Sequence, residues 1–495
     1  MQPGSSSHQA GPCRLSLLAA SLLGERPVGA AFTLDPAGSF AGTFGQMNED
    51  IAFVAGALGL DPADPAFFDA RETAAESGIS VRFAFEPIVE CDHPNAVRVE
   101  LSGAKRTVVM VGASVGGGLV RVFSVQGFAV DLEGESFVTF TFDGDPYAPE
   151  GAFGGGASRS GERTMRWFTT LERPSDPPDS ALVMAPVLPV RATPARADRL
   201  FDTMTEWRKI ADAAGKRLSD VAIEYERRFS GWSEDAVVAG MRNIHSLMRD
   251  EVGAAYSPLA SRTASPFTRR DDLLIAPRLA EGARLSGAVH AHALKLALGV
   301  NAKIRGVPIV PGPMGTGGGY LFSALRAAQV ELGLSDDAIV RGLFVAAGVG
   351  AIAYSRTAPT GEIIGCAGEC GVCSAMTAAA LVECLDGTAL EAENAASFAM
   401  QAAIGLPCDP IPGGFEQPCL SRIVACVGNA ISFAELALAG SDAVLPFHEA
   451  LDAADSVGRA LPPELRCTSR GGCCATPTGV RLAAEYRAQR AIDRA

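Results

Sequence analysis

Three cysteines fall within eight residues of one another at positions 365–376, GCAGECGVCSAM. Cys366, Cys370 and Cys373 form a C-x3-C-x2-C pattern, compact enough to hold an iron–sulfur cluster on one loop. Cys408 and Cys419 stand further on, in GLPCDPIPGGFEQPC (405–419). The ten residues between them include three prolines and two glycines, so this segment is a loop. A loop of this kind turns two thiolates toward one centre. With Cys366 the set becomes Cys-x41-Cys-x10-Cys. Three ligands on a four-iron cluster leave one iron open, and an open iron is a Lewis acid toward a substrate hydroxyl. The plainer reading is of thiols buried in an Ala-rich core.

C-x3-C-x2-C is also the pattern of radical-SAM enzymes. Their architecture needs a barrel of β/α units, whereas about 120 residues follow Cys373 and they look helical and Gly-rich. If the helix over 374–385 has its first turn near Glu369, Cys370 and Cys373 share one of its faces.

The histidines are few. His8 lies in PGSSSHQAGP, a turn whose backbone N–H groups and hydroxyls suit a carboxylate, or else a polar tail. His93, in CDHPNAVRVE, precedes a strand and by itself reads as a structural loop residue. His290 and His292 are two apart on a helix and point in different directions, so at most one faces a given site. PGPMGTGGGY (311–320) opens a helix whose N–H groups would hold an anion. No Lys-Ser/Thr follows, so it is not a Walker A loop.

The elements that must position these residues divide the chain in two. Residues 1–145 mix strand and helix patterns, with strands expected at 96–101, 106–112, within 115–132 and at 135–144. A Gly-, Ser- and Pro-rich stretch, 146–196, reads as a linker. Helical spacing dominates 197–495, with helices expected at 200–215, 219–229, from Ser233, and at 288–298, 319–332, 335–354, 374–385, 389–405 and 420–439. The expected architecture is multidomain: an N-terminal α+β domain followed by a mostly α-helical C-terminal domain. The chain has 495 residues, 48% of them apolar, and a formal net charge of −14. That charge disfavours nucleic acid and anionic membranes as partners. No apolar run reaches the roughly 18 residues of a membrane span. A cytoplasmic protein is expected, and its twelve cysteines read as buried thiols or metal ligands rather than disulfides.

Several segments together resemble the bacterial iron–sulfur L-serine dehydratases, with β-type and α-type regions in one chain. SSSHQAGP (5–12) resembles SSSHTxGP, and HPN (93–95) the family's H-x-N. VGASVGGGLVRVFSVQGF (111–128) resembles its SIGGG strand pair. IIGCAGECGVCSAM resembles GGCQAECGSASAM, GLPCDPIPGGFEQPC resembles GLVCDPVAGLVEVPC, and LPPELRCTSRGGCCATPTG (461–479) resembles LP-x2-LRET-x-GGLAATPTG. The resemblance implies a [4Fe–4S] cluster on Cys366, Cys408 and Cys419, without pyridoxal phosphate. It implies a carboxylate and amino-group site at Ser5, Ser6, His8, His93 and Asn95. A small amino acid or hydroxy acid would lose water, and the product would hydrolyse to pyruvate and ammonia. A homodimer is expected.

The chain also departs from the family. QMNED (46–50) stands where the family has GHGTD, so Met47 replaces the expected base, and a thioether cannot accept the α-proton. His290, His292, Glu49 and Asp50 are the replacement candidates. RTASPFTRRD (262–271) replaces KSTTGLTGGD, and Arg269 and Arg270 would add a carboxylate clamp. PMGTGGG (313–319) replaces PTAGSAG, and the regulatory module that often follows the SIGGG strands is expected to be cut short near Gly144. The alternatives to a serine-type lyase are an L-cysteine desulfidase and a non-catalytic paralogue that binds an amino acid or senses iron.

Overall fold

The structure, a computed structural model, describes residues 1–188, 199–263, 285–411 and 417–492. The chain forms two compact units, which meet in sequence at Ala192 and Thr193; residues 2–4 group with the second.

The first unit is α+β. Its main sheet has the order β2-β1-β3-β4-β5-β6. The strands are β1 (Gly29–Leu34), β2 (Ser80–Phe85), β3 (Ala96–Ser102), β4 (Thr107–Gly116), β5 (Leu119–Val125) and β6 (Phe128–Leu132). β1 and β2 are parallel and the other pairs antiparallel. Alternation sets which face is buried: Val97, Val99 and Leu101 of β3 point inward while Arg98 and Glu100 are partly exposed. Helix Gly11–Leu23 lies on this sheet and on helix Glu49–Ala57. Its approach is close because a Cβ at Gly56 would land on the Cys13 carbonyl.

A second sheet, of order β10-β7-β9-β8, adds β7 (Phe137–Phe142), β8 (Gly154–Ser160), β9 (Arg163–Thr170) and β10 (Leu182–Met184). The stretch 146–196, expected as a linker, therefore holds three strands. Its glycines have a packing reason. A Cβ at Gly156 would strike the Trp167 ring on the neighbouring strand.

The second unit is helical. Met204–Ala214, Leu218–Ser230 and Glu234–Gly253 lead to Ala288–Asn301, Gly317–Leu332, Asp336–Arg356, Val372–Cys384, Ala389–Gln401, Cys419–Leu438 and Phe447–Ala460. Ser233 and Ser335 cap their helices, each accepting from a backbone N–H three residues on. Val372–Cys384 is central, packed against Asp336–Arg356, Ala389–Gln401, Cys419–Leu438 and Gly317–Leu332. Among the described residues, two helices have the length and composition to cross a bilayer: Asp336–Arg356 (mean hydropathy 1.6) and Cys419–Leu438 (1.4). The first buries most of that surface among its neighbours; the second buries less.

Candidate functional site

The thiol-rich segment begins where helix geometry is interrupted. Helix Gly361–Ile364 ends at Gly365, whose φ of 70° no ordinary side chain adopts readily. Cys366 then caps a π-helical turn, Ala367–Gly371, which feeds into Val372–Cys384. Such turns insert a residue into the helical register and turn side chains that regular spacing would face elsewhere. Here the turn carries Glu369 and Cys370.

Cys408 arrives from the other side. Its N–H donates to the Leu465 carbonyl (2.8 Å), and its carbonyl accepts from the Cys467 N–H (2.7 Å). The Sγ atoms of Cys366 and Cys408 and a carboxylate oxygen of Glu369 all lie within 4.8 Å of one another. The Cys370 and Cys408 thiols donate to the Cys366 sulfur. With the Arg422 guanidinium beside it (Nη1–Sγ 3.8 Å), they hold the Cys366 thiol well below its ordinary range. The two donors are pushed up in turn. Burial, then the Cys366 charge and then Glu362, push the Glu369 carboxyl well up.

Cys419 is the first residue of helix Cys419–Leu438 and is partly exposed. Arg422 sits three residues on, on the same helical face. Arg422 also donates to the Pro407 carbonyl (2.7 Å) and pairs with the buried Asp409 (2.6 Å). Among the described residues, the group within 4.8 Å contains Cys366, Glu369 and Cys408 but not Cys419. Cys373 is turned elsewhere: its thiol donates to the Gly317 carbonyl (3.3 Å) and burial pushes it up to about 12. The three cysteines of 365–376 thus divide, with Cys366 and Cys370 in contact and Cys373 apart.

Sequence reasoning did not single out Cys426, Tyr354 or Thr360. Cys426 contacts Cys370 and lines a cavity of about 230 Å³ together with Ser374, Arg422 and Asn429. The hydroxyls of Tyr354 and Thr360 are shut off from solvent without a hydrogen-bond partner among the described residues. Tyr354 feels the charges of Glu369 and Glu362. No periodicity or motif marks such hydroxyls; their isolation emerges only from packing.

The donor set fits an iron–sulfur centre. Soft sulfur donors converge in a buried site beside two carboxyl groups, Glu362 and Glu369, with one nearby guanidinium already paired to Asp409. Soft thiols clustered with carboxyl groups away from water are the donor types that a metal centre takes up on deprotonation.

The first unit holds a different turn. Ser5 caps a second π-helical segment, Ser6–Ala10, by accepting from the His8 N–H (3.2 Å). His8 is buried, with Nδ1 bonded to Ser7 Oγ and Nε2 to Ser39 Oγ, each at 2.9 Å. His93 Nδ1 accepts from the Asn95 N–H (3.1 Å). Asn95 is fully buried; its Nδ2 donates to the Ser114 carbonyl (3.3 Å), and its Oδ1 has no partner among the described residues.

The candidates for the missing base separate clearly. Asp50 is buried and paired with Arg71 (2.8 Å). Glu49 is fully buried and accepts from Thr43 Oγ1 (2.6 Å) and the Met47 N–H (3.2 Å). Burial pushes its carboxyl up to about 7 against the opposing pull of His8. In the second unit His292 pairs with Glu331 (2.9 Å), while His290 packs over Gly428, where a Cβ would come within 3.1 Å of its ring. The two histidines diverge, as their spacing requires. Arg269 and Arg270 lie outside the described residues.

Residues 211–474 match the family model described as the serine dehydratase alpha chain. The probable L-serine dehydratase alpha chain of Bacillus subtilis is 29% identical over 284 residues, 57% of this chain and 94% of the relative. The L-serine dehydratase alpha chain of Peptoniphilus asaccharolyticus is 30% identical over 294 residues, 58% of this chain and 98% of the relative. The beta chain of the L-serine dehydratase from the same organism is 34% identical over 134 residues, 26% of this chain and 59% of the relative.

Proposed function

The chain belongs to the serine dehydratase family, with β-type and α-type regions joined in one polypeptide, and on that premise we propose a [4Fe–4S]-dependent lyase that dehydrates a small β-hydroxy amino acid of the L-serine type. The observation that carries the cofactor is the convergence of the buried Cys366 and Cys408 thiols beside Glu369. Cys366, Cys408 and Cys419 would hold the cluster. When bound, it would supply an iron with an open position that polarises the substrate's β-hydroxyl.

The chain's own residues would do the rest. Arg422 sits against Cys366 and favours its thiolate. The Ser5 and Ser6 hydroxyls and His8 would take the carboxylate. The unpartnered Asn95 Oδ1 would accept from the ammonium, and the neighbouring His93 fixes the Asn95 backbone. Glu49 would take the α-proton in place of the family histidine. Asp50 is held by Arg71 and His292 by Glu331, whereas burial raises Glu49 to about 7, the range of a general base. The Cα–H electron pair would become the Cα–Cβ double bond, and the oxygen would leave Cβ with the bonding pair, taking up a proton to depart as water.

The reaction is proposed to run in the cytoplasm, in a homodimer that light scattering would detect. The test is anaerobic reconstitution followed by assays with L-serine, L-threonine and L-cysteine. Pyruvate from L-serine supports the reading, and sulfide from L-cysteine without pyruvate from L-serine would indicate a desulfidase. Met47 at the histidine's place favours a second reading, a non-catalytic amino-acid binder. Tight binding of L-serine by the loaded protein without any 2-oxo acid would establish it.

A further inference from the structure

We propose that Cys370 and Cys426 form an oxidation site, converted to a disulfide by a small peroxide that enters through the cavity beside Cys426. The site goes beyond the cluster reading and needs no cluster. Two separate elements bring the thiols together. Cys370 stands in the π-helical turn Ala367–Gly371, and Cys426 in the second turn of helix Cys419–Leu438. The two thiols are in hydrogen-bond contact. Both backbones are fixed. A Cβ at Gly371 would strike Ala403 (2.7 Å) and Met400 (2.9 Å), so the turn lies hard against the end of helix Ala389–Gln401. Ser374 Oγ donates to the Cys426 carbonyl (3.0 Å), and Arg422 ties the start of the same helix to the Pro407 carbonyl and to Asp409. A sulfur–sulfur bond of roughly 2 Å therefore starts from thiols already held in contact.

The cavity supplies the route. Its volume is about 230 Å³, several times the share of one water, and Ser421 and Ala425 on its lining are exposed. Arg422, Cys426 and Asn429 line it from one face of the helix. Hydrogen peroxide is little larger than water and hydrogen-bonds as water does. Thiols react where solvent approaches and a cation stands near, and Cys426 shares this wall with the Arg422 guanidinium. Other buried thiols of this unit are committed to backbone carbonyls: Cys373 to Gly317 and Cys384 to Ala338, each at 3.3 Å. Cys370 is the thiol in contact with Cys426.

The Cys426 thiolate attacks one peroxide oxygen. The O–O bond breaks, hydroxide leaves and takes up a proton, and a sulfenic acid remains. The Cys370 thiolate then attacks that sulfur; the S–S bond forms, the S–O bond breaks, and a second water leaves. Two thiols give up two electrons and two protons, and the peroxide becomes two waters. The disulfide staples the π turn to the helix that carries Cys419 and Arg422, and it removes the proton that Cys370 donates to Cys366.

The full chain and its Cys366→Ala, Cys370→Ala and Cys426→Ala variants would be reduced, desalted anaerobically and exposed to hydrogen peroxide. Remaining thiols would be alkylated and the peptides mapped by mass spectrometry without reduction. A Cys370–Cys426 cross-link should be the main disulfide at either residue in wild type, with or without iron, and in Cys366→Ala. The linked peptides should weigh about 2 Da less than their sum, the two hydrogens lost. Dimedone added with the peroxide should label Cys426 in Cys370→Ala and leave Cys370 unlabelled in Cys426→Ala. Cys370 and Cys426 both remaining thiols in wild type, or pairing instead with Cys366 or Cys373, overturns the proposal; so does dimedone on Cys370 rather than Cys426. The wild-type map needs no variant, so a variant that fails to fold does not shield the proposal. A chain that takes up no iron yet forms this cross-link defeats the cluster reading alone.

Discussion

Each unit places a π-helical turn at the head of a long buried helix, and the two turns solve opposite electrostatic problems. In the first unit, Ser6–Ala10 carries hydroxyls and His8, joined by hydrogen bonds through Ser7 and Ser39. In the second, Ala367–Gly371 carries Glu369 and Cys370 next to Cys366, so acidic donors crowd into one buried place and resist charging together. The first arrangement suits the recognition of a small polar molecule by hydrogen bonds. The second suits a metal centre, because burying like-signed donors is costly without a cation. The same backbone device presents hydroxyls and an imidazole in one unit and thiols with a carboxyl group in the other. What differs is the charge that the side chains leave uncompensated.

The largest expected effect breaks the second turn from the outside. Cys408→Ala should abolish the cluster's visible absorbance after reconstitution. Cys373→Ala should keep most of it, because that thiol is committed to the Gly317 carbonyl. The reverse outcome would restore C-x3-C-x2-C as the ligand set. Next is Arg422→Ala, which strands the buried Asp409 carboxylate. A loss of about 3–5 kcal/mol is expected in urea unfolding. A loss under about 1 kcal/mol would mean that Arg422 does not hold this wall together.

The first unit has its own charge problem at Glu49, and it sharpens the contrast. Its folded-state value of about 7 stands above the ordinary 4.5, so folding favours the protonated form. That contribution is fully present below about pH 4.5 and is lost as pH rises through about 7, by about 3 kcal/mol in all. Glu49→Gln should flatten this part of the stability–pH profile. An unchanged slope would assign it to another group. The smallest effect is expected from His292→Ala. Its pair with Glu331 is partly exposed, so stability should fall by less than about 1 kcal/mol, with turnover unaltered. A large drop in turnover would return His292 to the list of bases.

Much of the second unit was legible because its helices are long and regularly spaced. The expected helix 374–385 corresponds to Val372–Cys384, and 420–439 to Cys419–Leu438. Of the second sheet only β7 was legible, expected at 135–144 and found at Phe137–Phe142. The GGG of β8 reads as a linker, yet it makes room for Trp167 on the next strand of the hairpin. A family resemblance brings Cys366 and Cys408 forward as proposed ligands, whereas their contact depends on the clip between Cys408 and residues 465–467. The π turns were hidden because an extra residue in a helical register leaves no compositional trace.

The comparison of the two turns is tested most directly by counting iron and sulfide per chain after anaerobic reconstitution of wild type, His8→Ala and Cys366→Ala. The account predicts about four irons and four sulfides in wild type and in His8→Ala, and close to none in Cys366→Ala. Equal loading of all three proteins, or loss in His8→Ala matching that in Cys366→Ala, would contradict it.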